Sequence, residues 1–166
     1  MLAGHAASSG HERAKRYRPN EDPPTATKNG DTVAATLEGR PKDIIAGKNY
    51  AHLAIPRQDG TVQTVIVWAD TDEGNVMLNS SEGRTWPENL RKAGTATVTV
   101  MADGDPYEWV SVTGRLVEDT HEGADEQINA LAKKYIDKDV YPYRVAGEQR
   151  VKFVLRPERV HYNPPK

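Results

Sequence analysis

The run from Thr95 to Val100 alternates strictly, with Thr95, Thr97 and Thr99 set against Ala96, Val98 and Val100. A period of two sends successive side chains to opposite faces, and β-branched residues suit a pleated surface. This run is a strand with one polar and one apolar face, and it constrains the fold because similar runs surround it. In Tyr50 to Ile55, Ala51, Leu53 and Ile55 share one side and Tyr50, His52 and Ala54 the other. In Tyr107 to Glu118, Val110, Val112 and Leu116 oppose Trp109, Ser111, Thr113 and Arg115, and Gly114 marks a bulge or a tight bend. Gln63 to Ala69 is apolar on both faces through Val65, Ile66, Val67 and Trp68, which predicts a strand buried on both sides. Asn75 to Asn79 and Arg150 to Leu155 complete six strands, with Val160 to Tyr162 continuing the last one beyond Pro157. Asp59-Gly60 is a hairpin signal, and Asp70 to Gly74 and Asp103 to Pro106 read as turns. Mostly antiparallel strands with short connections predict a closed or nearly closed β-barrel, mainly β with inserted helices. Closure removes exposed strand edges. The absence of sustained β-α-β alternation argues against a parallel Rossmann sheet.

Three helices are expected. Val33 to Ala46 forms a short one, interrupted by Gly39 and Pro41 and ended by Gly47. Glu122 to Ile136 carries an apolar stripe of Ala124, Ile128, Leu131, Ala132 and Tyr135, with Thr120 as cap, acids at its start and Lys133 and Lys134 at its end. The third follows Arg84. Thr85 and Glu88 have capping-box spacing, Pro87 lies in the first turn, Trp86, Leu90 and Ala93 share one face, and Gly94 is the stop.

Chemistry is sparse along the chain. There are no cysteines, which excludes disulfides, thiolate metal sites and cysteine nucleophiles and accords with a cytoplasmic setting. The five histidines have no metal-ligand spacing, so no metal is expected. A net charge of −2 gives no electrostatic case for nucleic acid. No apolar run reaches membrane-spanning length, and the N-terminus lacks a signal-peptide core. Residues 1–32 read as a flexible extension bearing a basic cluster, Arg13, Lys15, Arg16 and Arg18, which leaves 33–166 as the folded domain. Phosphate-loop, dinucleotide and nucleophile-elbow motifs are missing. A chain without evident acid, base or nucleophile suits a cofactor that brings its own reactivity.

One stretch stands out against this background. Asn79, Ser80, Ser81, Gly83 and Arg84 lead directly into the helix at Thr85. Hydroxyls and a guanidinium beside a helix N-terminus form an anion cradle, most naturally for phosphate. The same residues equally describe a capped surface helix with a solvated arginine. Trp86 has two readings as well: hydrophobic foot of the helix, or flat wall of a pocket.

Across about two thirds of the chain an ordered set of short matches appears. It comprises Asp59-Gly60, Val67-Trp68, Asn79, Gly83-Arg84, Asn89-Leu90-Arg91-Lys92, Tyr107, Gly114-Arg115, Glu122-Gly123-Ala124-Asp125 and Arg156-Pro157-Glu158-Arg159-Val160. This set resembles the flavin/deazaflavin oxidoreductases of the pyridoxamine 5′-phosphate oxidase-like split β-barrel superfamily, in particular the branch that uses coenzyme F420. The resemblance implies a homodimer with two cofactor sites at the subunit interface and hydride transfer to a conjugated small organic substrate. It places the cofactor phosphate at Asn79, Ser80, Ser81, Arg84, Thr85 and Asn89, and the ring against Val65, Ile66, Val67 and Trp68. Trp86, Tyr107 and Trp109 add aromatic surface, with Tyr107 or Trp109 coming from the second subunit. Arg57 or the Arg13–Arg18 cluster is the candidate exit for the cofactor's polyanionic tail. FMN shares the ribityl phosphate handle, so an FMN-dependent oxidoreductase is the alternative, and a non-catalytic flavin or deazaflavin carrier or sensor is the third reading. The chain departs from the family pattern in three places. Trp86 stands where many relatives have a basic residue, Val65-Ile66 replaces a Thr-Pro, and Ala93-Gly94 replaces an Asp-Pro.

Overall fold

The computed structural model describes residues 35–165; the expected N-terminal extension and its basic cluster lie outside the described residues. The elements are α1 (Gly39–Ala46), β1 (Ala51–Pro56), β2 (Val62–Val67), β3 (Ala69–Asp72), β4 (Asn75–Ser81), α2 (Thr85–Ala93), β5 (Thr95–Ala102), β6 (Asp105–Thr120), α3 (Ala124–Ile136) and β7 (Arg150–Asn163). All strands belong to one antiparallel sheet in the order β2-β1-β5-β6-β7-β4-β3. The two edge strands are consecutive in the chain, with only Trp68 between them. A single residue spans only about 3.5 Å of extended chain. The sheet must therefore curl until its edges meet at Trp68, which gives a barrel whose edge strands do not form a ladder with each other.

Alternation sets what lies inside. Ala51, Leu53 and Ile55 of β1, Ala96, Val98 and Val100 of β5, and Val110 and Val112 of β6 are buried together with Val151, Phe153 and Leu155 of β7. Leu37, Ile44 and Ile45 at α1, and Trp86 and Leu90 of α2, join the same core. α1 is shorter than expected, because Gly39 takes a φ of +58° and Glu38 before it is extended, so the helix begins only at Gly39. Pro41 falls in its first turn, where a missing N–H is tolerated.

Two strand expectations change. β2 is an edge strand and is not buried on both faces: Val62 and Ile66 are 60% and 56% exposed. Asp70 to Asp72, expected to open a turn that runs to Gly74, instead belong with Ala69 to strand β3, held by its pairing with β4, and only Glu73-Gly74 turns. Gly114 does mark a register shift between β6 and β7. A Cβ there would lie 3.0 Å from the Arg156 carbonyl oxygen, so only a glycine allows this approach.

α3 lies on the outer side of β4 and β7, with Ala124, Ile128, Leu131, Ala132 and Tyr135 buried as the stripe predicts. Tyr135 anchors it by donating from its hydroxyl to the Asn49 carbonyl at 2.7 Å and accepting from the Ala69 N–H at 3.2 Å. Burial pushes this phenol's pKa up, so the hydroxyl keeps its proton. Lys134 Nζ donates to the carbonyls of Ala69 at 2.7 Å and Ile45 at 3.1 Å. The Thr120 hydroxyl accepts from Glu122 N–H at 3.1 Å, but the residue preceding the helix is Gly123.

Candidate functional site

At the seam where β2 passes into β3, a cavity of about 250 Å³ opens between the sheet edge, the start of α2, α3 and the loop before β7. Its walls are unlike one another. Ile66, Val67, Ile128 and Leu131 are aliphatic, Tyr50, Trp68, Trp86, Tyr141 and Tyr143 are aromatic, and Asn79, Arg84 and Arg150 are polar. The aromatic side is ordered by its own contacts. Trp68 stacks on Tyr135 at 5.1 Å, meets Tyr141 edge-on at 6.0 Å, and Tyr141 meets Tyr143 edge-on at 5.6 Å.

Arg84 is the residue preceding α2, with extended backbone, and it is exposed. Among the described residues it has no hydrogen-bond or ion-pair partner, so its guanidinium is available. The expected capping box does not form. Thr85 is already the first helical residue, and no side chain caps the helix start. The first-turn N–H groups are therefore not satisfied by a cap, and they carry the positive end of the helix dipole. Gly94 ends the helix in the left-handed conformation (φ +67°), its N–H donating to Leu90 O. Trp86 is 7% exposed and packs on Phe153 at 5.5 Å, so the indole is a core residue whose remaining surface lines the cavity.

The polar floor is a buried network that sequence reasoning missed. Arg150, 4% exposed, donates through Nε (2.9 Å) and Nη2 (2.5 Å) to Asn79 Oδ1 and through Nη1 to Glu148 Oε1 (2.7 Å). Asn79 Nδ2 donates in turn to Ala124 O at 2.8 Å and Gln127 Oε1 at 2.9 Å, which ties β4 to α3. The Arg150 guanidinium lies 5.2 Å from the centre of the Tyr141 ring, a cation–π contact. Burial works to raise the Glu148 carboxyl, but hydrogen bonds from Arg150 and Ser81 outweigh it and hold it below its ordinary range. The only sequence signal for Arg150 was an arginine opening an otherwise apolar strand.

The remaining site candidates scatter. Val65 lies across from buried Leu53 and packs on the main core, away from the cavity. Ser80 is opposite Val151, 1% exposed, and its hydroxyl is unpartnered in the core. Ser81 is buried opposite Arg150. Thr85 is exposed and does not line the cavity. Asn89 donates to Gln63 Oε1 at 2.8 Å and faces a separate recess of about 220 Å³ with Arg57 and Lys92. Tyr107 and Trp109 lie elsewhere on the sheet, Trp109 packing on His161 at 5.0 Å.

No protein-family model matches the sequence, and no characterised protein matches it by sequence. Solved structures do match in three dimensions. An F420 reductase aligns over 72% of this chain and 94% of its own, at 22% identity and a TM-score of 0.65. A putative pyridoxamine 5′-phosphate oxidase from Listeria innocua aligns over 68% and 86%, at 17% identity and a TM-score of 0.52. General stress protein 26 from Bacillus anthracis aligns over 75% and 91%, at 14% identity and a TM-score of 0.54. Identities this low speak for the fold alone. With its curled antiparallel sheet and inserted helices, the chain has the split β-barrel fold of the pyridoxamine 5′-phosphate oxidase-like proteins, shared with that F420 reductase.

Proposed function

We propose that this protein is an oxidoreductase that binds coenzyme F420 and passes a hydride between the reduced deazaflavin and a conjugated, electron-poor organic substrate. One observation carries this reading: an available guanidinium, an uncapped helix start and an aromatic, apolar wall meet in one cavity. That combination fits a phosphate at one end and a flat ring at the other. Arg84 and the first-turn N–H groups of α2 hold the phosphate; Ile66, Val67, Trp68 and Trp86 take the ring. The deazaflavin supplies the hydride when bound, and the chain supplies binding, orientation and exclusion of water. The fold of the F420 reductase supports the assignment.

A homodimer belongs to the same proposal. Ligand pockets commonly span roughly 300–1,000 Å³, and the cavity of one chain, about 250 Å³, accommodates only part of such a cofactor. A second copy completes it, with Tyr107 or Trp109 of that copy as the closing surface. The cytoplasm is the compartment in keeping with a chain that lacks cysteine.

The test is fluorescence titration of the purified chain with the deazaflavin and, separately, with FMN. Tight FMN binding without deazaflavin binding replaces this reading by the FMN-dependent one. Arg84→Ala is expected to weaken cofactor binding at least ~10-fold, the scale of one lost charge-assisted hydrogen bond. Because Arg84 is exposed, stability should change by no more than about 0.5 kcal/mol. Unchanged affinity reduces the cradle to ordinary surface.

A further inference from the structure

Five rings form an unbroken row through the seam. Tyr143 meets Tyr141 at 5.6 Å, Tyr141 meets Trp68 at 6.0 Å, Trp68 stacks on Tyr135 at 5.1 Å, and Tyr135 meets Tyr50 at 5.5 Å. Packing alone does not ask for this composition. A phenyl ring fills such positions as well as a phenol does, yet the chain's one phenylalanine, Phe153, packs on Trp86 instead. Every ring in the row is an indole or a phenol, the side chains that most readily yield a single electron in a chain without cysteine. Trp68, at the middle, lines the cavity, and the two ends, Tyr143 and Tyr50, are 66% and 55% exposed. The two arms differ in what can happen to a proton. A phenol gives up an electron easily only when its proton leaves as well. Tyr135 is buried, and its hydroxyl donates to the Asn49 carbonyl, which is too weakly basic to take that proton. Burial, which pushes this phenol's pKa up, acts in the same direction. On the other arm, the hydroxyl of Tyr143 has no partner among the described residues, so water can take its proton. Between Tyr143 and Trp68, the Arg150 guanidinium 5.2 Å from the Tyr141 ring centre keeps positive charge from resting there.

We propose that Tyr143, Tyr141 and Trp68 form a one-way electron relay that protects the cavity: when a one-electron oxidant strikes Trp68, Tyr143 replaces the lost electron and the oxidation ends at the protein surface. Electrons and protons balance. The oxidant takes one electron from the indole and is reduced by one. Trp68 regains that electron, through the Tyr141 ring, from Tyr143, whose O–H bond breaks and whose proton goes to water. The tyrosyl left at Tyr143 returns to a phenol by taking a hydrogen atom from a small reductant of the ascorbate class, which is itself oxidised by one electron. The arm through Tyr135 to Tyr50 stays closed, because its buried phenol has nowhere to send a proton. The relay draws on no cofactor and holds whichever flavin or deazaflavin the cavity takes.

The probe is the azide radical, generated radiolytically in a solution of the cofactor-free full chain, because it oxidises indoles in preference to phenols. In the parent protein, indolyl absorption should decay as phenoxyl absorption grows, at a rate independent of protein concentration. Tyr143→Phe keeps the ring and its packing but has no hydroxyl proton to release. It should cut that growth and raise the conversion of Trp68 to N-formylkynurenine severalfold. Peptide mass spectrometry reads this against Trp109, which lies off the row beside His161. Tyr50→Phe, an equally conservative change at the closed end, should alter neither measurement. Trp68 oxidation left unchanged by Tyr143→Phe overturns the relay, as does phenoxyl growth that scales with protein concentration. An equal response to Tyr50→Phe overturns its one-way character.

Discussion

Trp86 belongs to the core and to the cavity at once. The spacing of Trp86, Leu90 and Ala93 foretold the first role and the resemblance to split-barrel oxidoreductases suggested the second, and the buried indole beside Phe153 serves both. Other single residues were illegible for a definite reason. Arg150 owes its burial to Asn79, 71 positions away, and no local pattern announces a partner at that distance. Glu108 is similar. It falls on the same face as buried Val110 and Val112, where the strand pattern has no place for a charge. Arg40 makes that position tolerable with bonds of 2.7 and 2.5 Å, and the Tyr162 hydroxyl adds one of 2.7 Å. Arg40 first, and Tyr162 second, hold the Glu108 carboxyl down to about 2 from an ordinary 4.5. A carboxyl lowered by folding stabilises fully above its ordinary value, and the contribution is lost as pH falls through the folded one. Thermal unfolding followed from about pH 5 to about pH 2 should therefore show a shallower decline in Tm for Glu108→Gln than for the parent chain. A residual slope is expected, because Arg91 lowers Glu82 and Lys133 lowers Asp137 as well.

Within single elements the residue pattern was an accurate guide. The alternation of β1 and β5 and the stripe of α3 match what is buried. The pattern failed where an element's character depends on its neighbours. Val65 to Trp68 has the composition of a central strand, yet β2 is an edge, and sheet order is not written in any one strand. β3 carries Asp70, Thr71 and Asp72 and looks like a turn; backbone pairing with β4 makes it a strand. Gly114 was legible because a lone glycine in a strand has few reasons to be there. Its reason is the approach of β7, with the Arg156 carbonyl oxygen 3.0 Å and the Leu155 Cβ 3.2 Å from where a methyl would sit. Both neighbours are held by the β6–β7 ladder, so the strands have to part. Urea denaturation of Gly114→Ala should show a loss of about 1–3 kcal/mol, the range for overpacking a well-filled site; a neutral result would mean the ladder gives way freely.

For the molecule as a whole, the barrel class was readable from strand number and turn spacing, while the position of the seam was not. No helix among the described residues is long and apolar enough to cross a membrane. If a second copy completes the cofactor site, assembly and affinity must be linked. Trp109→Glu, on the outer face of β6, should yield a folded monomer in sedimentation velocity with cofactor affinity reduced more than ~10-fold, as expected when a shared site loses half its walls. Dimers that persist at full affinity would place the interface elsewhere. The seam itself has a mechanical consequence. Since the sheet's two free borders are joined only through Trp68, and the same tryptophan walls the cavity, any breathing of the barrel there is also a breathing of the site. A bound molecule spanning that gap acts as a clasp. Amide hydrogen exchange in β2 and β3 should slow together when the cavity fills, although these strands stand at opposite ends of the sheet order, because what is being fastened is one hinge.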